Sequence, residues 1–455
     1  METNQKKSQH LFTRIAIPCK PNYSLLEKTY RKNQLIVTFG KIPSDEEVKE
    51  VKGYFNKMGI KKIKKVKCNC NMPVQLWLAK DIHTIVSGNG VKAGTGPGTK
   101  TVGESYSLNF LSKIPRHHWG QSKHYPYKNS ECPPAKEEII TIAVLDTGID
   151  LSIVDGGYIS NNYQNKPGYE CFGDAVNGWN FVDDNANIKD DNPGLHGSLV
   201  TQFIINQFKN STKSVKIIPL KTHDRNGKGD LFKIFCAIYY AIAKGAKIIN
   251  ASWGFYHYEE APVKQLNALI ATLKDEGILF VTAAGNQSDA DDKIARGIFA
   301  QQGINPSPFQ LRNLAIHHFL PANLSKSAEN LITATTSNGE VVAATENHSN
   351  VFVDLGVLAD KSEKGDLLFE VPFNLNGAVE YVRGSSFATA IATGIIGANC
   401  DTKLYTRKTI NKQSFIKNLF DFSENARGVA LCKKFAALEQ ELIKDGVCVQ
   451  KHPDI

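Results

Sequence analysis

From residue 139 onward, short apolar runs alternate with amphipathic stretches. Four runs are apolar along nearly their whole length and predict buried strands: residues 139–145, 215–220, 246–251 and 277–283. Apolar residues recur at helical spacing in the intervening segments 199–208, 231–243 and 263–273. Strands that alternate with helices build a parallel sheet covered on both faces. The pattern therefore predicts an α/β domain with three layers, α/β/α.

The preceding part of the chain has a different pattern. Residues 35–39 predict a strand, and Ser44 with Glu47 three positions later forms a capping box before a helix that Gly59 ends. Two strand-like runs follow, residues 60–66 and 74–78. This β-α-β-β start predicts a small α+β (ferredoxin-like) domain. Its second half has no clear pattern, because residues 88–103 are rich in glycine and predict a loop.

These patterns divide the 455 residues into five segments. They are a polar lead (1–33), the small α+β module (34–110), a linker (111–136), the α/β domain (137–400) and a helical tail (401–455) in which Leu431 and Leu442 mark an amphipathic helix. No apolar run is long enough to cross a bilayer, and the first residues lack the apolar stretch of a signal peptide. The nine scattered cysteines favour reduced thiols. We therefore expect a cytoplasmic protein without a membrane contact.

Charge is unevenly distributed between these segments. Of the 54 Lys and Arg residues, 23 lie in residues 1–130, against 8 of the 45 Asp and Glu residues. A basic first part and an acidic remainder predict an intramolecular contact between the two. A nucleic-acid partner for the basic part, which includes five lysines in residues 61–67, is the less favoured alternative because no nucleic-acid motif accompanies it.

Three polar side chains stand where a parallel sheet gathers functional groups. Asp146 ends an apolar strand, His196 opens a helix, and Ser386 begins a helix without charge. A serine hydroxyl becomes a nucleophile when an imidazole takes its proton, and a carboxylate orients that imidazole. Asn286 ends another buried strand, where its amide could donate to an oxyanion together with the N–H of Ser386.

The strings around these residues resemble those of the subtilisin-like serine proteases, the subtilases. They are D-T-G at Asp146, H-G-S at His196, A-A-G-N ending at Asn286 and G-S-S-F-A-T-A around Ser386, and the likeness covers residues 137–400. The resemblance implies a serine endopeptidase with an Asp-His-Ser triad and an Asn oxyanion hole. It also implies that Gly227, Gly229, Ser252 and Gly254 hold an extended polypeptide substrate. No organic cofactor is implied, and calcium would be a structural ion only.

The sequence departs from the family pattern at four places. Thr201 and Gln202 occupy small-residue positions of the helix after His196, Ser385 replaces a threonine, and Ala390 replaces a proline. None of these changes removes a catalytic atom. A catalytically silent, peptide-binding scaffold remains an alternative, as does a protease that its basic module recruits to nucleic acid.

The N-terminal module resembles, more loosely, the subtilase pro-domain. That likeness implies a cap that folds against the protease and inhibits it, with any cut in residues 103–136. Three other signals are weaker. Residues 94–101 lack the second glycine of a phosphate-binding loop, Cys68 and Cys70 lack a second ligand pair for zinc, and the acidic run 183–191 is not an EF-hand loop.

Overall fold

A computed structural model of the chain describes residues 29–66, 68, 70–84, 105–114, 132–161, 164–171, 178–257, 261–301, 303–361, 366–372, 380–425 and 429–432. The strands are β1 (Tyr30–Thr38), β2 (Lys64–Val66), β3 (Val74–Leu78), β4 (Ser105–Lys113), β5 (Glu138–Asp146), β6 (Trp179–Asn180), β7 (Lys213–Lys221), β8 (Lys228–Asp230), β9 (Ile248–Ala251), β10 (Phe255–Tyr256), β11 (Leu279–Ala283), β12 (Phe319–Leu320), β13 (Leu331–Ser337), β14 (Leu355–Leu358), β15 (Asp360–Lys361), β16 (Leu367–Glu370), β17 (Tyr381–Val382), β18 (Phe420–Asn425) and β19 (Val429–Cys432). The α-helices are α1 (Asp45–Lys57), α2 (His196–Asn206), α3 (Leu231–Ala243), α4 (Ala261–Asp275), α5 (Asp289–Ala300), α6 (Pro308–Leu311), α7 (Ser385–Asn399) and α8 (Lys412–Leu419).

The central sheet has nine strands in the order β18-β19-β14-β13-β11-β9-β5-β7-β6. Adjacent strands of this sheet pair in parallel, except that β18 and β19 pair antiparallel to each other. Ile142 and Val144 of β5 pack in one apolar cluster with α2 and α7, whereas Ala143 and Leu145 pack in another with α3 and α4. Successive side chains of a strand point to opposite faces, so helices cover both faces. The predicted three-layer α/β/α domain is confirmed.

The N-terminal module is an antiparallel sheet in the order β2-β3-β1-β4. The predicted helix is confirmed: Ser44 caps α1, its hydroxyl and the Glu47 side chain form the capping box, and Gly59 follows at a φ of 89°. The second predicted strand is shorter than residues 60–66, because only Lys64–Val66 pair with β3. Most of the connection between β3 and β4 lies outside the described residues, so the ferredoxin-like arrangement stays a prediction.

One predicted boundary and the predicted helical tail are wrong. The linker does not begin at residue 111, because β4 continues to Lys113 and pairs with β8 of the α/β domain. Residues 401–432 are not purely helical: after α8, the antiparallel strands β18 and β19 extend the central sheet, and β19 includes Leu431. The pairing of β19 with β14 satisfies backbone groups that β14 would otherwise leave open. Leu442 and the rest of the predicted tail helix lie outside the described residues.

A disulfide joins Cys70 of the module to Cys171 of the α/β domain. The expectation of reduced thiols is therefore wrong for these two cysteines, because the fold brings together residues that are 101 positions apart. The zinc alternative for Cys68 and Cys70 fails at the same point, since the bridge uses the sulfur of Cys70. Among the described residues, no helix is long and apolar enough to cross a membrane.

Candidate active site

Asp146 and His196 form a buried hydrogen-bonded pair at the carboxyl end of β5. The Nδ1 atom of His196 lies 2.8 Å from Oδ1 of Asp146, and both side chains are at most 2% exposed. The Thr147 backbone N–H also donates to this oxygen, at 2.8 Å. A carboxylate at Nδ1 favours the tautomer that carries its proton there. The Nε2 atom of His196 is thereby left as a proton acceptor.

Two glycines let the helix that carries His196 approach β5. A side chain on Gly197 would meet the carbonyl oxygen of Gly148 at 2.3 Å, and Gly148 itself has a φ of 110°. These contacts give the glycines of D-T-G and H-G-S a steric reason. The unusual Thr201 and Gln202 are accommodated by hydrogen bonds: Thr201 donates to the Gly197 carbonyl at 2.8 Å, and Gln202 donates to the carbonyl of Ile153.

Ser386 lies in the first turn of α7, directly before a residue that contacts the histidine. The ring of Phe387, the following residue, has its centroid 5.4 Å from that of His196. The Ser386 hydroxyl donates to the carbonyl of Ser252 at 3.1 Å, and the Ser252 hydroxyl donates to the Ser386 carbonyl at 2.9 Å. Because a hydroxyl carries one proton, Ser386 must turn away from Ser252 before it can donate to His196.

The side chain of Asn286 is oriented by Ser385. Both the N–H and the hydroxyl of Ser385 donate to Oδ1 of Asn286, at 2.9 and 3.1 Å. This leaves the Nδ2 donor on the side of Gly384, where a Cβ would meet it at 3.2 Å. The serine that replaces the usual threonine thus supplies both contacts. The Asn286 amide donor therefore lies beside the start of α7, the helix that carries Ser386.

The segments that were predicted to hold a substrate hold the end of β4. The Ile114 N–H donates to the Gly227 carbonyl at 2.8 Å, and Ser112 pairs with Gly229. On the other side, the Lys113 N–H donates to the Gly254 carbonyl at 3.0 Å. Backbone pairing on both edges is how an extended peptide adds a strand to a sheet. A cavity of about 430 Å³ contains Ser252, Asn286 and Ser386 next to this strand.

Sequence reasoning missed three polar residues around this cleft. His223 binds the hydroxyl of Ser112 through Nε2 at 2.9 Å, and its burial lowers its pKa to about 4. The Tyr256 hydroxyl lies 3.2 Å from the Asn286 carbonyl, and burial raises its pKa to about 12. Asp291 of α5 binds the amine of Lys113. The sequence gives a signal only for Asp291. This residue lies five positions after Asn286, in the first turn of a helix that Ser288 caps.

The acidic run next to the histidine bonds to protein groups. Asp191 pairs with the amine of Lys221, and Asp190 accepts the N–H and hydroxyl of Ser198 at 3.0 and 2.8 Å. Burial raises the pKa of Asp190. Within the described ranges, no three acidic, histidine or cysteine side chains cluster as metal ligands. The residues 94–101, which resemble a phosphate-binding loop, lie outside those ranges.

Comparison with known proteins identifies the family of the chain. The model of the subtilase family matches residues 138–410. Subtilisin-like protease 1 of Plasmodium vivax is 28% identical over 236 residues, which are 48% of this chain and 35% of that protein. The cell wall-associated protease of Bacillus subtilis is 36% identical over 119 residues, or 25% of this chain and 12% of that one. The chain thus covers about a third or less of either relative.

A solved structure shares the fold over a longer stretch. The epidermin leader peptide processing serine protease of Staphylococcus aureus superposes with a TM-score of 0.52 at 13% identity, covering 88% of this chain and 96% of that one. At this identity the likeness supports the fold alone. The family match, however, covers more than half of the chain and includes Asp146, His196, Asn286 and Ser386. The chain therefore belongs to the subtilase family.

Proposed function

We propose that this subtilase is a serine endopeptidase in which Ser386 attacks the peptide carbonyl. The observation that carries the proposal is the buried contact of 2.8 Å between His196 and Asp146. This pair prepares an imidazole whose Nε2 accepts the serine proton while the carboxylate stabilises the resulting cation. Ser386, the third member of the triad, directly precedes Phe387, and the ring of Phe387 contacts the imidazole of His196.

The reaction proceeds by two transfers of the acyl group. The Ser386 oxygen bonds to the carbonyl carbon as its proton passes to Nε2 of His196. The tetrahedral intermediate then collapses, His196 returns the proton to the departing amine, and an acyl-enzyme remains. Water attacks this ester by the same route and releases the second product. Asn286 Nδ2 and the Ser386 N–H would stabilise the oxyanion, and loss of one such donor costs about 10²–10³ in kcat.

The N-terminal module is proposed to act as an intramolecular cap. Its strand β4 occupies the edge between Gly227 and Gly254, so a substrate strand has to displace it or follow its cleavage. This pairing favours the cap over a nucleic-acid role for the basic module.

The bridge between Cys70 and Cys171 favours an oxidising compartment over the cytoplasm that the sequence suggested. Calcium stays a proposal as a structural ion, and no organic cofactor is invoked.

A silent, peptide-binding scaffold is the second candidate. The hydrogen bond from the Ser386 hydroxyl to the Ser252 carbonyl favours it, because that bond directs the proton away from His196. The two candidates share the cleft and differ only in whether Ser386 is activated.

A fluorophosphonate distinguishes them, because it bonds only to an activated serine. Intact mass should show one adduct on the wild-type chain and none on Ser386→Ala, while Ser152→Ala, at an exposed serine outside the cleft, should keep its adduct. Peptide hydrolysis should fall about 10⁶-fold in Ser386→Ala, the order of magnitude that triad removal costs a subtilisin. No adduct on the wild type, even after the module has been cleaved from the chain, would replace the endopeptidase with the scaffold.

A further inference from the structure

Lys113 has its backbone held on both sides by the α/β domain. It pairs with Lys228 of β8 on one edge, and its N–H and carbonyl face Gly254 on the other, at 3.0 and 3.5 Å. Any peptide that replaces β4 must make the same backbone contacts. The side chain of the residue at this place is therefore fixed in direction by the strand on which it lies.

That side chain reaches a carboxylate of the α/β domain. The Nζ atom of Lys113 lies 3.1 Å from Oδ1 and 3.3 Å from Oδ2 of Asp291. Asp291 is only 8% exposed, and the Ser288 hydroxyl donates to its Oδ2 at 2.6 Å. The cavity that contains Ser386 includes Asp291 as well. Because this carboxylate is largely buried and faces the cleft, a cationic side chain there stabilises the bound chain. An apolar or acidic side chain at the same place destabilises it.

The neighbouring acidic residues do not serve this place. Asp292, the next residue, pairs with the guanidinium of Arg312. Asp289 is exposed and accepts the side-chain amide of Gln287 at 3.2 Å. Asp291 is thus the carboxylate of this helix turn that the pairing of β4 brings into contact with the chain in the cleft.

The register relates this place to the cleaved bond. In an antiparallel pair, moving two residues forward along one strand moves two residues back along the other. When one residue of the bound strand lies opposite Gly254, the residue two positions later therefore lies opposite Ser252. The carbonyl of Ser252 accepts the hydroxyl of Ser386, so that second residue lies beside the nucleophile. If its carbonyl is the one attacked, the residue opposite Gly254 is the third on the N-terminal side of the cleaved bond.

We infer that Asp291 selects substrates with lysine or arginine as the third residue before the cleaved bond. This inference rests on the proposed endopeptidase function and adds the substrate class. Lysine and arginine both carry a cation on a stem long enough to reach this carboxylate. A partly exposed ion pair of this kind corresponds to a preference of about five-fold.

The test is digestion of a chymotryptic peptide library by the full chain, with the cut sites read by mass spectrometry. Wild type should enrich Lys and Arg about five-fold at the third position. Asp291→Asn should lose that enrichment, and Asp291→Lys should prefer Asp and Glu there. Asp289→Asn is the matched control: it removes the same charge from the same helix turn, and it should keep the wild-type pattern.

Three results would contradict the inference in distinguishable ways. Cuts that depend on Ser386 but show no preference at this position overturn the role of Asp291 and leave the endopeptidase standing. The same holds if Asp291→Asn keeps the preference, because Asp291 would then only anchor the cap through Lys113. Absence of any cut that depends on Ser386, in the full chain and also after the module has been cleaved from it, overturns the proposed function and this inference with it.

Discussion

The two large sheets of this protein are buried in different ways. Helices that belong to the α/β domain cover both faces of the central sheet. The sheet of the N-terminal module has one face covered by its own helix α1, with Phe55, Trp77 and Tyr106 packed edge to face. Its other face packs against α3 and α4 of the α/β domain through Ile36, Leu76, Leu108 and Phe110.

The module therefore completes its core only by packing against the α/β domain. The ring of Phe110 stacks on Phe255 of that domain at 5.4 Å, and the disulfide of Cys70 lies at the same interface. A sheet with one open apolar face loses the free energy that burial of that face contributes. The central sheet has no such dependence, because its own helices bury both of its faces. The comparison can be tested by experiments that affect one sheet and spare the other.

The largest effect is expected when residues 29–114 are produced alone. Four large apolar side chains would become exposed, at about 2 kcal/mol each, and the bridge to Cys171 would be missing. We expect the isolated segment to be unfolded. Amide hydrogen exchange should show no protection of its strands, whereas the same strands should be protected in the full chain. Cooperative thermal unfolding of the isolated segment would contradict the comparison, since the module would then have a sufficient core of its own.

The next effect concerns the disulfide. Replacing Cys70 and Cys171 with serine removes a bridge that spans 101 positions. The chain-entropy estimate for a loop of this length is about 4.7 kcal/mol. We expect faster hydrogen exchange in β1–β4 and unchanged exchange in the core strands β9 and β11. Cys132→Ser, at a half-buried free thiol, is the control; equal exchange in both proteins would show that packing alone holds the module.

A pH effect should be confined to the α/β domain. Burial raises the pKa of Glu346 to about 7, from the ordinary glutamate value of 4.5. Between these values the folded chain holds a proton that the unfolded chain has lost, so stability should fall as pH rises from about 4.5 to 7. The loss is about 2 to 3 kcal/mol. Glu346→Gln should remove this slope in urea unfolding of the central sheet; an unchanged slope would assign it to other groups.

The smallest effect is expected at the helix cap of the module. Ser44 accepts the Glu47 N–H at 3.2 Å, and the Glu47 side chain accepts the Ser44 N–H at 2.7 Å. Ser44→Ala should cost about 1 kcal/mol, seen as faster exchange in α1 only, and Ser44→Asp should restore most of it. Faster exchange in the helices of the α/β domain as well would mean that the two regions unfold together.

The local elements and the chemistry can be read from neighbouring residues in the sequence. The capping box at Ser44 and the apolar run that ends at Asp146 depend on neighbouring residues, so their interactions can be read along the chain. The strings around Asp146, His196, Asn286 and Ser386 identify the family because the reaction requires those side chains. The unbroken run Leu35-Ile36-Val37 also carried a signal of burial on both faces, which sequence reasoning left unused.

Contacts between distant residues become visible only in the folded chain. The bridge between Cys70 and Cys171, the placement of β4 between Gly227 and Gly254, and the contact of Lys113 with Asp291 join positions that are about 100 to 180 apart. Contacts across such distances leave no periodicity in the chain, because they arise when separate elements pack together. The orientation of the Ser386 hydroxyl is decided in the same way, by the packing of α7 against Ser252.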